Sequence, residues 1–287
     1  MLNTKLYNLL LLLLLLVISC SPSNPTNEKE DDDPIDELPK LNPKKGFGIT
    51  VKTDNKWATK LVELEASWHY SWGLELPNPH PEEAEFVPMI WGGGGATDAN
   101  IDKVNSWAER KNVKFLLGFN EPDGVDQANM TVDKAIELWP KLMKARVPLV
   151  SPAPVHGDGQ WLKDFMAKAK ELGYRVEYIG IHWYKAPNST QFLQHLETIH
   201  NLYNLPIWIT EFGVADWNAK TPAENRYSPD QVLAFLREVL PKLDELDYIY
   251  RYAWFNSSIS YGPLTSSALY NEAGELTTLG KYYKSFK

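Results

Sequence analysis

From Gly46 onward the chain alternates between two hydrophobic periods. Short β-branched and aromatic runs at Phe47–Val51, Ala66–Tyr70, Glu85–Trp91, Lys114–Asn120, Pro148–Ala153, Tyr178–Tyr184, Ile207–Phe212 and Tyr248–Trp254 predict strands. Several are apolar almost throughout, as parallel strands covered on both faces are. Amphipathic stretches separate them. Trp161, Phe165 and Ala169 recur every four residues, flanked by Leu162, Met166 and Leu172, and Gly173 offers a left-handed stop. Phe192, Leu196 and Ile199 form a second apolar stripe, and Leu233, Leu236, Leu240 and Leu243 a third. Asp98 and Asn100 are candidate caps for the helix through Trp107, and Pro140 is placed to kink the helix around Ala135–Met143. Each strand run is followed by a helical stretch, so the pattern predicts an α/β fold, a (β/α)8 TIM barrel forming a single domain over residues 46–287. A doubly wound open sheet would want a glycine-rich turn after its first strand. Here that turn reads Val51-Lys52-Thr53-Asp54.

The first 45 residues follow neither period. Lys5 precedes ten uninterrupted apolar residues, Leu9–Ile18, and then Ser19-Cys20. A spanning helix needs about 20 such residues, so the run reads as the core of a signal peptide over residues 1–19. Val17-Ile18-Ser19-Cys20 resembles the bacterial lipobox, which implies cleavage before Cys20 and acylation of its thiol. Residues 20–45 hold five prolines and the acidic run Glu28–Asp33, without apolar periodicity. Such a segment cannot bury enough apolar surface to offset its ordering entropy, and it reads as an extended tether to a lipid anchor. The implied location is a bacterial cell envelope, at the outer membrane or cell surface.

Composition narrows the partners. Lys and Arg total 29 against 37 Asp and Glu, a net charge of −8, which opposes nucleic acid as a partner. The single cysteine excludes an internal disulfide and any cysteine-rich metal site. Eleven tryptophans are plentiful, and indole either fills a core or offers a ligand a flat apolar face. A monomer is expected.

In a barrel the functional groups sit at the C-terminal strand ends. The fourth strand run ends Phe119-Asn120-Glu121-Pro122 and the seventh Ile209-Thr210-Glu211-Phe212-Gly213. A carboxylate straight after a buried strand is costly without a partner or a task. Two of them facing across a barrel mouth suit glycoside cleavage, in which one protonates the leaving oxygen and the other attacks or activates water. No cofactor is required. Bland alternatives are two solvated loop glutamates, or a glutamate tied to an arginine.

These residues carry a resemblance. Asn-Glu-Pro after the fourth strand and Glu after the seventh are similar to the retaining glycosidases built on the (β/α)8 barrel. Leu117–Asp123, Ser151-Pro152-Ala153, Ile181-His182-Trp183-Tyr184, Ile209–Gly213 and Arg251–Phe255 resemble glycoside hydrolase family 128, β-1,3-glucanases sharing a cell-wall-linked catalytic core. The resemblance spans about residues 46–287. It implies that Glu121 is the general acid/base, Glu211 the nucleophile of a covalent glycosyl intermediate, and Asn120 a contact to the neighbouring sugar hydroxyl. It also implies carboxyl groups about 5–5.5 Å apart, against about 6.5–9.5 Å for an inverting enzyme.

Five tryptophans fall near the mouth ends of the strands: Trp68, Trp72, Trp91, Trp183 and Trp254. For Trp254 the resemblance implies stacking beneath the cleaved sugar, and Trp72 and Trp91 are further platforms. Trp68 and Trp183 are candidates for either platform or core. Trp107, Trp139, Trp161 and Trp208 read as core. His182 and Tyr184, beside the Glu211 strand, are candidates to hold that carboxylate in place. His69, Tyr70 and Asn256 are candidate contacts to sugar hydroxyls.

Other motifs carry little. Gly92–Gly95 lacks the Lys-Ser/Thr of a phosphate loop, His195 and His200 lie on different helix faces rather than forming a zinc pair, and Gly-x-Ser-x-Gly is absent. No metal ligand set is expected. The reading is a retaining endo-β-1,3-glucanase with β-glucan polysaccharide as partner. Its rivals are a related glycosidase acting on another β-glucan or mannan, and a surface glycan-binding lipoprotein that does not cut. Transfer to a second sugar shares the same intermediate.

Overall fold

The structure is a computed structural model describing residues 41–287. The expected signal peptide, Cys20 and the expected tether up to residue 40 lie outside the described residues. Residues 41–45, read from sequence as tether, are part of the folded body. Asn42 donates to Asp244, and Lys45 lies inside the first strand with its side chain buried. Lys44 and Lys45 look like solvated charges in the sequence. Instead, the Lys44 ammonium reaches the carbonyls of Leu243, Asp244 and Leu246, and the Lys45 ammonium those of Tyr283, Lys284 and Phe286. Each satisfies the orphan acceptors at the end of a helix.

Among the described residues, eight strands alternate with seven α-helices. The strands are β1 (Lys45–Gly48), β2 (Trp68–Tyr70), β3 (Glu85–Phe86), β4 (Leu116–Leu117), β5 (Leu149–Val150), β6 (Ile179–Lys185), β7 (Ile207–Val214) and β8 (Ile249–Phe255). Helix α1 (Trp57–Glu63) follows β1, α2 (Asp98–Glu109) follows β3, and α3 (Val132–Leu142), α4 (Gln160–Glu171), α5 (Ser189–Tyr203), α6 (Pro229–Glu245) and α7 (Thr278–Ser285) follow the remaining strands in turn. Six strands pair in the order β3-β2-β1-β8-β7-β6 and β4 pairs with β5, all in parallel. Bridges Met89–Leu117 and Val150–Tyr178 close the ring between β3 and β4 and between β5 and β6. The predicted barrel is therefore present, with one departure. No helix follows β2. Residues 71–84 descend as an irregular strap carrying Pro77, Pro79 and Pro81, whose missing N–H groups oppose a helix. Among the described residues no helix is long and apolar enough to cross a membrane.

The helix starts follow side-chain chemistry. Thr97, Thr131, Asn188, Ser228 and Thr277 each accept a hydrogen bond from a first-turn N–H, and Ser228 with Gln231 completes a capping box. Thr97, rather than the expected Asp98 or Asn100, caps α2. Gly173 adopts φ +67° just beyond α4, as its left-handed stop requires.

Two apolar layers result. Outward residues such as Phe47, Ile181, Phe212 and Trp254 pack under the helices, while Trp68, Tyr70, Leu117, Val150, Trp208 and Ala253 fill the barrel interior. Gly46 and Gly48 of β1 face that interior and leave room for two large rings. A Cβ at Gly46 would lie 2.2 Å from the Trp68 indole, and one at Gly48 would lie 3.1 Å from the Tyr70 hydroxyl. At the floor, Arg251 forms a bidentate pair with Glu85, its guanidinium 4.8–5.7 Å from the ring centres of Trp68, Phe115, Trp208 and Tyr250. Charge pairing and aromatic faces together close the end opposite the strand C-termini.

Candidate active site

A cleft of about 800 Å³ opens over the C-terminal strand ends. Glu121 and Glu211 both line it, with Asn120, His182 and Tyr184. Glu121 stands just beyond β4. Its N–H donates to the Ala153 carbonyl, and its backbone adopts φ +39°, a left-handed conformation that costs about 1–3 kcal/mol for a non-glycine residue. Glu211 lies within β7, where the register against β8 slips between Ile209 and Phe212. That irregularity breaks the inward–outward alternation, so Glu211 enters the cleft while Phe212 still packs under the helices.

One carboxylate oxygen from each glutamate and one nitrogen of His182 all lie within 4.8 Å of one another. The two acids have different company. Glu211 is 5% exposed and accepts from Trp72 Nε1 at 2.7 Å on Oε1 and from Tyr184 Oη at 2.6 Å on Oε2. Indole N–H can only donate, so Oε1 is the acceptor in that bond. Glu121 is more open and meets His182 Nδ1 at 2.9 Å. The other ring nitrogen of His182 stands 3.4 Å from Glu211. Burial pulls the His182 pKa down, but the charge of Glu211 and the hydrogen bond and charge of Glu121 prevail, and it lies above the ordinary histidine value. His182 therefore tethers Glu121 rather than only supporting Glu211, as its place in the sequence predicted. Tyr184 makes the expected hydrogen bond to Glu211. Burial, then the Glu211 charge, push both the Tyr184 and Tyr70 phenols well above their usual range, keeping them protonated donors.

The three donors around Glu121, His182 and Glu211 have the residue types of a cation site. Both Glu211 oxygens already accept hydrogens and His182 Nδ1 is engaged by Glu121, so a cation would have to displace these bonds.

Asn120 is buried beside the pair. Its amide nitrogen donates to Gln127 and its Oδ1 has no partner among the described residues. Trp91 and Asn256 line the cleft as expected, Trp91 with its ring substantially exposed. Trp72 lines it too, but as a donor to Glu211 rather than as a platform, at a strained φ of +47°.

The expected sugar contacts of Trp254 and His69 fail, for reasons of parity, and the two tryptophans left open between platform and core, Trp68 and Trp183, fall in the core. Trp254 shares the outward face of β8 with Tyr252. It is fully buried, donates to the Ser267 carbonyl and packs edge-on to Phe212, so it offers no sugar face. Its neighbour Phe255 points into the cleft instead. Trp68 faces inward but near the barrel floor, with Nε1 donating to the Lys44 carbonyl. His69 faces outward, 2.9 Å from His80 and stacked on Trp57. Trp183 borders the cleft, but its ring is buried between Phe192 and His195, with the Lys185 ammonium 4.6 Å away. The sequence reading also missed Trp217 and Tyr261. Trp217, the most exposed tryptophan at 57%, stands on the rim after β7, its Nε1 donating to the Tyr184 carbonyl. Both lie in loops without periodicity, where only their aromatic character at a strand's C-terminal side would have marked them.

A parallel eight-stranded barrel with two convergent glutamates at its mouth defines a barrel glycosidase site. Residues 46–283 match the family model described as glycosyl hydrolase catalytic core, and the chain belongs to glycoside hydrolase family 128. It is similar to a subgroup I endo-beta-1,3-glucanase from Amycolatopsis mediterranei, solved with laminaripentaose: 32% identity, 86% of this chain and 100% of that one, TM-score 0.75. A subgroup V exo-beta-1,3-glucanase from Cryptococcus neoformans shares 28% identity over 85% of this chain and 98% of its own, with TM-score 0.67. Among curated proteins, alkali-sensitive linkage protein 1 of Schizosaccharomyces pombe is 27% identical over 256 residues. The chain covers 44% of that protein's length, and the match covers 84% of the chain.

Proposed function

We propose that this glycoside hydrolase is a retaining endo-β-1,3-glucanase. The observation that carries the reading is the approach of one Glu121 and one Glu211 carboxylate oxygen to within 4.8 Å, which supports the short separation of a retaining pair over the wider gap an inverting enzyme keeps for its water. In the first step Glu121 donates its proton to the departing glycosidic oxygen while a Glu211 oxygen attacks the anomeric carbon. In the second, the Glu121 carboxylate takes a proton from water, whose oxygen displaces Glu211. His182 holds Glu121 in reach during both exchanges, and Trp72 and Tyr184 fix the attacking oxygens. Asn120 is placed to meet the hydroxyl next to the reacting carbon.

Linkage and mode of attack are supported by the glucanase relatives and by the open cleft, whose rim carries Trp91, Trp217 and Tyr261. Sugar C–H faces stack on such rings, and an open cleft admits the interior of a chain. We further propose that the chain is anchored through acylated Cys20 at a bacterial envelope and acts as a monomer. Labelling with a tagged fatty acid, lost in Cys20→Ser, tests the anchor.

Assay on linear β-1,3-glucan tests the activity. Reducing ends should appear as a ladder of oligosaccharides, and Glu121→Gln and Glu211→Gln should each lose about 10²–10⁴-fold. Equal rates in parent and variants would refute the assignment. Release of one small product from chain ends would move it to exo action, and binding without turnover to a glycan-binding protein. A chelator should leave the rate unchanged, since every step uses carboxyl groups and water.

A further inference from the structure

Glu211 is held by two donors that reach it from different elements. Trp72, at the head of the strap after β2, bonds Oε1, and Tyr184, near the end of β6, bonds Oε2. Both rings line the open cleft and are only half-buried, so the core does not enclose either of them. Trp72 also keeps a left-handed φ of +47°, which its surroundings must maintain. Phe255 stands between the two. It is the last residue of β8, paired in register with Gly48 of β1, and its half-buried ring enters the cleft. That ring meets Trp72 edge-on at 5.5 Å and 71°, and Tyr184 edge-on at 5.4 Å and 87°. Among the described residues Phe255 is the ring that meets both donors. Tyr70 flanks Trp72, and Trp217 flanks Tyr184, each touching one of the pair. An edge-on aromatic pair is worth about as much as one net hydrogen bond, so the brace matches in size the bonds it steadies.

We infer that Phe255 is a positioning residue for Glu211, acting through Trp72 and Tyr184 by wedging their rings into line with its two oxygens. This rests on the reading of Glu211 as the nucleophile. The Phe255 side chain has no polar atom to offer the carboxylate, so its influence passes through the two donors. Without the ring, indole and phenol gain room to turn into the cleft, and each turn draws a donor away from its oxygen. The carboxylate then loses the fixed aim at the anomeric carbon on which its attack depends.

The variant Phe255→Leu keeps an apolar side chain and removes the ring. On a β-1,3-linked glucoside with an aryl leaving group, its kcat should fall roughly 5- to 50-fold, the worth of two edge-on pairs, while KM and retention on a β-1,3-glucan gel stay within about twofold. Phe255→Tyr keeps the ring and should hold kcat within about threefold of the parent. In a Tyr184→Phe background one of the two bonds is gone, so Phe255→Leu should there cost less than half the fold-loss it causes in the parent. A raised KM with kcat unchanged would make Phe255 a sugar platform and overturn the inference. A Phe255→Tyr loss as large as that of Phe255→Leu, or half or more of the parent's fold-loss in the Tyr184→Phe background, would overturn it too. Glu211→Gln is assayed in parallel. If it is inactive while Phe255→Leu matches the parent, only the Phe255 role fails. If Glu211→Gln retains full activity, the nucleophile reading fails and takes the inference with it.

Discussion

His69 and His182 show one residue type set to opposite tasks by its surroundings. His69 is packed among Trp57, His80 and Phe86, and burial followed by the nearby His80 lowers its pKa to about 3. Its neutral form is the folded form. Stability from it is full above about pH 6.5 and is lost as the pH falls towards 3. His182, between two carboxylates, is shifted upward, so its contribution is full below about pH 6.5 and is lost as the pH rises through the folded value. Urea unfolding against pH should separate the two. The parent should lose stability on both sides, His182→Gln should flatten the rise through neutrality, and His69→Phe should flatten the acid side. A parent curve flat from pH 4 to 8 would contradict both assignments. Sequence position alone could not distinguish these histidines, because strand parity decides which side each faces and an irregularity of one residue reverses it.

The elements were legible where their period was long and their ends were marked. All eight strands and the helices with clear apolar stripes were in place, and Glu121 fell beyond its strand as the hydrophobic run implied, whereas Glu211 fell inside β7, which runs on to Val214. The strap at residues 71–84 was not, since every strand run was read as followed by a helical stretch, and here three prolines oppose one. The tryptophans divided by parity. Trp254 and Trp217 should therefore respond differently to truncation. Trp254→Ala should cost about 3–5 kcal/mol of stability, as loss of a buried aromatic does. Trp217→Ala should leave stability within about 0.5 kcal/mol, as exposed sites do, and weaken retention on a β-1,3-glucan gel. Unfolding curves beside affinity electrophoresis check both, and a stable Trp254→Ala with weakened glucan binding would restore it as a platform. Gly46→Ala, whose Cβ would meet the Trp68 indole, should destabilise β1 by about 1–3 kcal/mol in the same unfolding assay.

Across the whole molecule, the two ends of the barrel divide the labour. The floor holds the Arg251–Glu85 pair among aromatic rings, and Lys44 and Lys45 tie the start of β1 to the ends of α6 and α7. At the mouth, Glu121 and Trp72 carry strained backbones, and the Tyr70 hydroxyl has no hydrogen-bond partner among the described residues. The rigid scaffold offsets what the site costs. The chain therefore enters the barrel at the floor, and the cleft opens at the other end. The proposal of a retaining mechanism rests on the short gap between two acids in unlike surroundings. The direct measurement is mass spectrometry after reaction with a 2-deoxy-2-fluoro-β-1,3-glucosyl substrate bearing a good leaving group. The account predicts one sugar covalently attached to the peptide containing Glu211, and no label in Glu211→Gln. A label on Glu121, or turnover with inverted anomeric configuration and no adduct, would contradict it.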